Sequence, residues 1–143
     1  MTQVRRTIGR IRRLYYGSKM HDVLRAFGLA RAIPGQRFYI SDEEEEKTYS
    51  ANVSADGTLS DLKLFAERGG EGLAWDKAGN VYIAAGQIYV YNSMGEEINE
   101  IDVPERPSPL VFGGADGKTL FIAARSSLYA VETKYGYQVR VSH

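Results

Sequence analysis

The sequence predicts an all-β fold built of β-propeller blades: about three four-stranded blades, half of a six-bladed ring. Three observations carry that expectation. Residues 28–42 (GLARAIPGQRFYISD), 72–85 (GLAWDKAGNVYIAA) and 110–124 (LVFGGADGKTLFIAA) repeat one pattern of apolar triplet, Gly-bearing polar turn and alternating strand. The spacing is 44 residues from Gly28 to Gly72 and 38 from Gly79 to Gly117. A period near ~40 with strand-turn-strand content marks propeller blades, whereas sandwiches and α/β folds carry no such period.

The middle copy is the plainest. Leu73–Asp76 reads as a short inner strand, and Lys77-Ala78-Gly79-Asn80 as a turn with glycine where φ turns positive. Val81–Ala85 is a buried second strand, Gly86-Gln87 a hairpin turn, and Ile88–Tyr91 a third strand of β-branched and aromatic residues. Asn92–Gly95 turns again into an outer strand, Ile98–Val103. There Asn99, Ile101 and Val103 share one face, and Glu100 and Asp102 wet the other.

The first copy follows the same plan, with strands at Arg37–Asp42, Thr48–Val53 and Leu59–Phe65 and a turn at Ala55-Asp56-Gly57. In the third copy Leu120–Ala124 and Ser127–Val131 are strands, and Gly136–Val141 is expected as the fourth. Residues 27–143 thus read as a three-bladed domain. Residues 1–26 are a basic N-terminal segment that parses either as a helix or as two strands, Gly9–Tyr16 and Lys19–Arg25, of a preceding blade.

The net charge of zero conceals an asymmetry. Residues 1–31 hold eight basic residues against one acid, net +7, while residues 42–105 hold fifteen acids against four bases, net −11. The acidic middle repels phosphate and argues against nucleic acid as a partner. With no cysteine, disulfides and thiolate metal sites are excluded. No apolar run has the length of a membrane span, and no apolar core follows the basic N-terminus as in a secretory signal, so a cytoplasmic location is expected.

The wording of the blades also resembles a known family. The stretch from Arg37 to Lys134 is similar to the gluconolactonase/senescence-marker-protein (regucalcin-like) six-bladed propellers. FYISDEEEEKTYSANVSADGTLSDLKLFAE resembles that family's fourth blade, and EGLAWDKAGNVYIAAGQIYVYNSMGEEINEIDVPERPSPLVFGGADGKTLFIAA its fifth running into its sixth. RSSLYAVETK resembles the closing segment. NHL-type propellers share the Gly-Asn-Val-Tyr-like turn. The Trp75-Asp76 pair lies in the inner strand, where the WD-repeat dipeptide does not belong.

The resemblance implies hydrolysis of lactones or related esters with one divalent cation, calcium or zinc, near the propeller axis. A cation polarises the carbonyl and activates water, and a carboxylate takes the proton. The implied ligands sit just before the inner-strand triplets. In the fifth blade that position is Glu71, the expected catalytic and metal-binding carboxylate; in the fourth it is Phe27 and in the sixth Pro109, neither a ligand and both expected to line the pocket. The first-blade Glu of the family has no counterpart. The bland reading of Glu71 is a surface carboxylate in a glycine-rich loop. Asp42 and Asp76 read as turn-capping residues, Glu43–Glu46 as a solvated loop, and His21 and His143 as lone histidines.

Two classes of function therefore stand at this stage: a metal-dependent lactonase acting through Glu71, and a module that has lost catalysis and binds a small molecule or a protein. A truncated product that merely folds and assembles is a third. Three blades leave the apolar faces of the terminal blades bare, so a homodimer completing a six-bladed ring is the expected partner.

Overall fold

The computed structural model describes residues 26–29 and 35–136, the first of these by backbone. Eleven strands form three antiparallel sheets among these residues. The first sheet runs β1 (Ala26–Leu29), β2 (Arg37–Asp42), β3 (Lys47–Val53) and β4 (Leu59–Ala66). The second runs β5 (Gly72–Trp75), β6 (Val81–Ala85), β7 (Gln87–Tyr91) and β8 (Glu97–Ile101). The third holds β9 (Leu110–Gly113), β10 (Thr119–Ala124) and β11 (Ser127–Glu132). Each sheet is a meander, and the inner strands β1, β5 and β9 lie side by side. The expected fourth strand at Gly136–Val141 falls outside the described residues apart from Gly136, which is not in a strand, and the helix-or-strand question for residues 1–26 falls outside them apart from Ala26 in β1.

The sheets stack face to face, as alternating side chains dictate. In the middle sheet Leu73, Val81, Ile83 and Tyr91 join Tyr39 and Ala66 of the first sheet in one core. The intervening Ala74, Tyr82, Ala84, Ile88 and Val90 join Leu110, Leu120 and Ile122 of the third in another. A sheet buried on both faces needs strands apolar at nearly every position, which is why VYIAA and IYVY lack polar alternation. Burial of Ile83 and Ile88, both inaccessible, contributes roughly 2–3 kcal/mol each. Edge-on aromatic contacts tie the blades: Tyr39 lies 5.0 Å from Trp75, and Tyr82 lies 5.3 Å from Phe112.

One strand departs from expectation. The outer strand of the middle sheet was expected to run to Val103 but ends at Ile101. Pro104, which has no N–H to offer a ladder, lies three residues on, after Asp102 and Val103. Val103 is nonetheless buried, and its backbone is satisfied by a side chain: its N–H donates to Gln87 Oε1 at 2.6 Å, and Gln87 Nε2 donates to its carbonyl at 3.2 Å.

Candidate functional site: a cleft at the head of the inner strands

Glu71 sits immediately before β5, and the chain leading to it is threaded tightly between two sheets. The Thr48 hydroxyl donates to the Arg68 carbonyl at 2.7 Å. Buried Ser41 holds Gly70 twice, donating to its carbonyl at 3.0 Å and accepting from its N–H at 2.7 Å. The Glu71 N–H then donates to the Ala84 carbonyl at 3.0 Å. A Cβ at Gly70 would lie 1.9 Å from the Ala84 carbonyl oxygen, and one at Gly72 only 1.6 Å from that of Ser108. These glycines are required by close backbone approach; the segment is not a loose glycine-rich loop. It fixes where the Glu71 side chain starts.

Opposite Glu71 lies the stretch between the second and third sheets. Pro107 is fully buried, the Ser108 N–H donates to the Ala123 carbonyl at 2.9 Å, and the Ala123 N–H donates to the Pro109 carbonyl at 3.0 Å. This anchors Arg106, whose Nη2 approaches Glu71 Oε1 at 3.3 Å. Glu71, Arg106, Ser108, Pro109, Ala123 and Arg125 line a cleft of about 420 Å³. Glu71 and Pro109 are thus brought together, and Phe27 falls in β1, at the bulge between Ala26 and Gly28. Arg125 turns into β11 with φ of 47°, a left-handed turn that carries its side chain at the cleft's edge. Glu105 does not balance the arginines within the cleft: its carboxylate accepts from Ser126 at 3.2 Å and Tyr129 at 3.1 Å. Hydrogen bonding, foremost from Ser127, holds it below the usual carboxylate range.

Strand register corrects one alignment. Leu73 pairs with Ile83, and Leu110 pairs with Ile122. Since YIAA of β6 matches FIAA of β10, Leu110 corresponds to Leu73, and Ser108 rather than Pro109 stands where Glu71 stands. Leu29 pairs with Ile40, which keeps Phe27 at the equivalent position in the first sheet. The residues at this position in the three sheets are therefore Phe27, inside β1, and Glu71 and Ser108, ahead of β5 and β9. The third hairpin has one more ladder pair, Gly113 with Thr119, and so one extra residue on each strand, which displaces the sequence match by one.

The donor set does not fit a hard divalent cation, which wants six or more oxygens. The carboxylate here faces a guanidinium, and a second arginine lines the same cleft. Among the described residues no group of three His, Cys, Asp or Glu side chains stands close enough to hold a metal ion. With two arginines against one carboxylate, the cleft carries one net positive charge. The Glu71–Arg106 pair is partly solvated, its side chains 29% and 50% exposed, so it is weak and open to exchange with another anion.

At the other end of β5 the chemistry is different. Asp76 is 2% exposed and accepts from Ala78 N–H (2.9 Å), Asn80 N–H (3.0 Å), Asn80 Nδ2 (2.9 Å) and Tyr82 Oη (3.3 Å). It closes the turn whose Gly79 takes φ of 84°. Burial, reinforced by Asp76, pushes the Tyr82 hydroxyl up to about 12. Asp42 likewise caps its own turn, accepting from the Glu44 and Glu45 N–H groups at 2.9 and 3.0 Å. Both aspartates do the turn-capping work their positions suggested, and Glu44 and Glu46 are exposed as a solvated loop requires. His21 and His143 lie outside the described residues.

Face-to-face antiparallel meanders with inner strands side by side, and a ligand-sized cleft at their heads, define a segment of a β-propeller. Residues 19–126 match the SMP-30/Gluconolactonase/LRE-like region, and the chain belongs to that family. It is similar to the solved gluconolactonase of Xanthomonas campestris at 25% identity and a TM-score of 0.67, over 79% of this chain and 39% of that one. A second structure, described as a candidate gluconolactonase, has 25% identity and a TM-score of 0.71 over 84% and 43%. The calcium-binding protein regucalcin of Agrobacterium tumefaciens strain C58 shares the fold at 16% identity and a TM-score of 0.64, over 82% and 50%. No curated protein matches the chain. The chain thus spans about half, or less, of the solved relatives it matches. Among the described residues no helix is long and apolar enough to cross a membrane.

Proposed function

We propose that this chain is a diverged gluconolactonase-like propeller module that binds a small, oxygen-rich anion in the Glu71–Arg106–Arg125 cleft and does not carry out metal-dependent lactone hydrolysis. The observation that carries this reading is the Arg106 guanidinium 3.3 Å from Glu71. It supplies the positive charge at the point where the family resemblance asks for a cation. Arg106 and Arg125 recognise a carboxylate by charge-assisted hydrogen bonds. Ser108 offers a hydroxyl to a polyol chain, and Pro109 and Ala123 give it an apolar wall. A sugar acid, the class of product a lactone gives on ring opening, has this chemistry.

The reading is tested by lactone hydrolysis, followed with and without added Ca²⁺ or Zn²⁺ across a panel of aldonolactones. The expected rates equal those of buffer under every condition. Metal-stimulated hydrolysis that disappears in Glu71→Gln would overturn it and restore the hydrolase, with Glu71 as ligand and base.

A further inference from the structure

The three sheets present the same positions toward the blade that follows, and their burial can be compared one by one. Register aligns Tyr39, Tyr82 and Phe121, each in the second strand of its sheet. Their cross-strand partners are Ser50, Val90 and Ala130. Two residues along, Ser41, Ala84 and Ala123 pair with Thr48, Ile88 and Leu128. On the inner strand, Ala74 pairs with Tyr82 and Val111 pairs with Phe121.

In the first two sheets every one of these side chains is buried against the next sheet. In the third, Ala130 is exposed, Phe121 and Ala123 are only partly buried, Val111 is 61% exposed and Leu128 is 71% exposed. Ile88, at the position of Leu128, is inaccessible. Val111, Phe121, Ala123, Leu128 and Ala130 thus form one contiguous apolar face, with Glu132 as its charged margin. A sheet face of this kind is rarely left open on a soluble protein.

We propose that this open face is a blade-stacking surface and that a second copy of this chain covers it. Two observations select that occupant. The face repeats, position by position, the surfaces that this chain's own blades already cover, so a blade of the same repeat is its complement. The relatives accommodate roughly twice the length of the matched stretch within one propeller, which leaves room for two such units in one ring. This inference does not depend on the ligand of the cleft.

Sedimentation velocity over a micromolar concentration series of the full chain is the test. The wild type is expected to be a dimer, and the double variant Val111→Lys/Leu128→Lys a monomer with an unchanged β-type circular dichroism spectrum, because both side chains are exposed within one copy. A wild type that stays monomeric throughout, or a double variant that stays dimeric, overturns the proposal. Should the double variant not fold, Ala130→Cys decides. The chain has no other thiol, and maleimide labelling should slow roughly tenfold as the dimer forms. A rate independent of protein concentration contradicts the stacking surface.

Discussion

Strand β5 carries a carboxylate at each end, and the two have opposite fates. Asp76, at its foot, is buried and saturated by four donors from its own turn and the neighbouring strand. Glu71, at its head, is anchored through its backbone, and its partly exposed side chain pairs with Arg106 in a cleft that Arg125 also lines. The second sheet thus uses one acid to hold a turn and leaves the other lining the cleft. Asp76 is 2% exposed and its partners are local in sequence, whereas the Glu71 side chain is 29% exposed and pairs with Arg106 from the stretch between the second and third sheets.

Substitutions should separate the two ends. The largest effect is expected in the backbone that places Glu71. Gly70→Ala or Gly72→Ala drives a Cβ into a carbonyl oxygen, and Gly72 would force the second and third sheets apart. A loss above about 3 kcal/mol by urea denaturation is expected, beyond ordinary overpacking. A loss under about 1 kcal/mol would mean that the close approach relaxes freely. Next comes Asp76→Ala, which strands several donors beneath the second sheet and should cost about 2–3 kcal/mol.

Tyr82→Phe comes third, at roughly 1 kcal/mol near neutral pH. Its signature is pH dependence. The folded state raises the Tyr82 hydroxyl from the ordinary 10.0 to about 12. The linked stability is therefore fully present below pH 10 and is lost as pH rises toward about 12. Alkaline denaturation followed by circular dichroism should be shallower in the variant, and an identical profile would contradict the assigned cause. The smallest stability change belongs to Glu71→Gln: a partly solvated ion pair is worth at most about 1 kcal/mol. A large loss there would make Glu71 structural, like Asp76.

Much of this architecture was written locally. The second strand of each sheet carries its own turn and its own alternation, so β2 and β6 begin and end where the residues say. The aspartate caps were legible for the same reason. Glu71 and Pro109 could be singled out because each lies beside a recognisable triplet. The one-residue slip to Ser108 could not be seen, because only ladder pairing shows that the third hairpin carries an extra pair, Gly113 with Thr119. Arg106 and Arg125 had no signal: they sit in an aperiodic proline-rich stretch and a tight turn, and they meet Glu71 only when two sheets stack. The glycine run misled for a related reason, since a loop looks loose until the carbonyls that crowd it are brought in from elsewhere.

If the cleft binds an anion as proposed, Glu71 competes with it for Arg106. Calorimetric titration of gluconate into the wild type and into Glu71→Gln at low ionic strength measures that competition directly. Removing the carboxylate should leave the arginines unopposed and tighten gluconate binding by roughly three- to tenfold, about 1 kcal/mol. Weaker gluconate binding in Glu71→Gln, together with calcium affinity lost by the same substitution, would contradict the account.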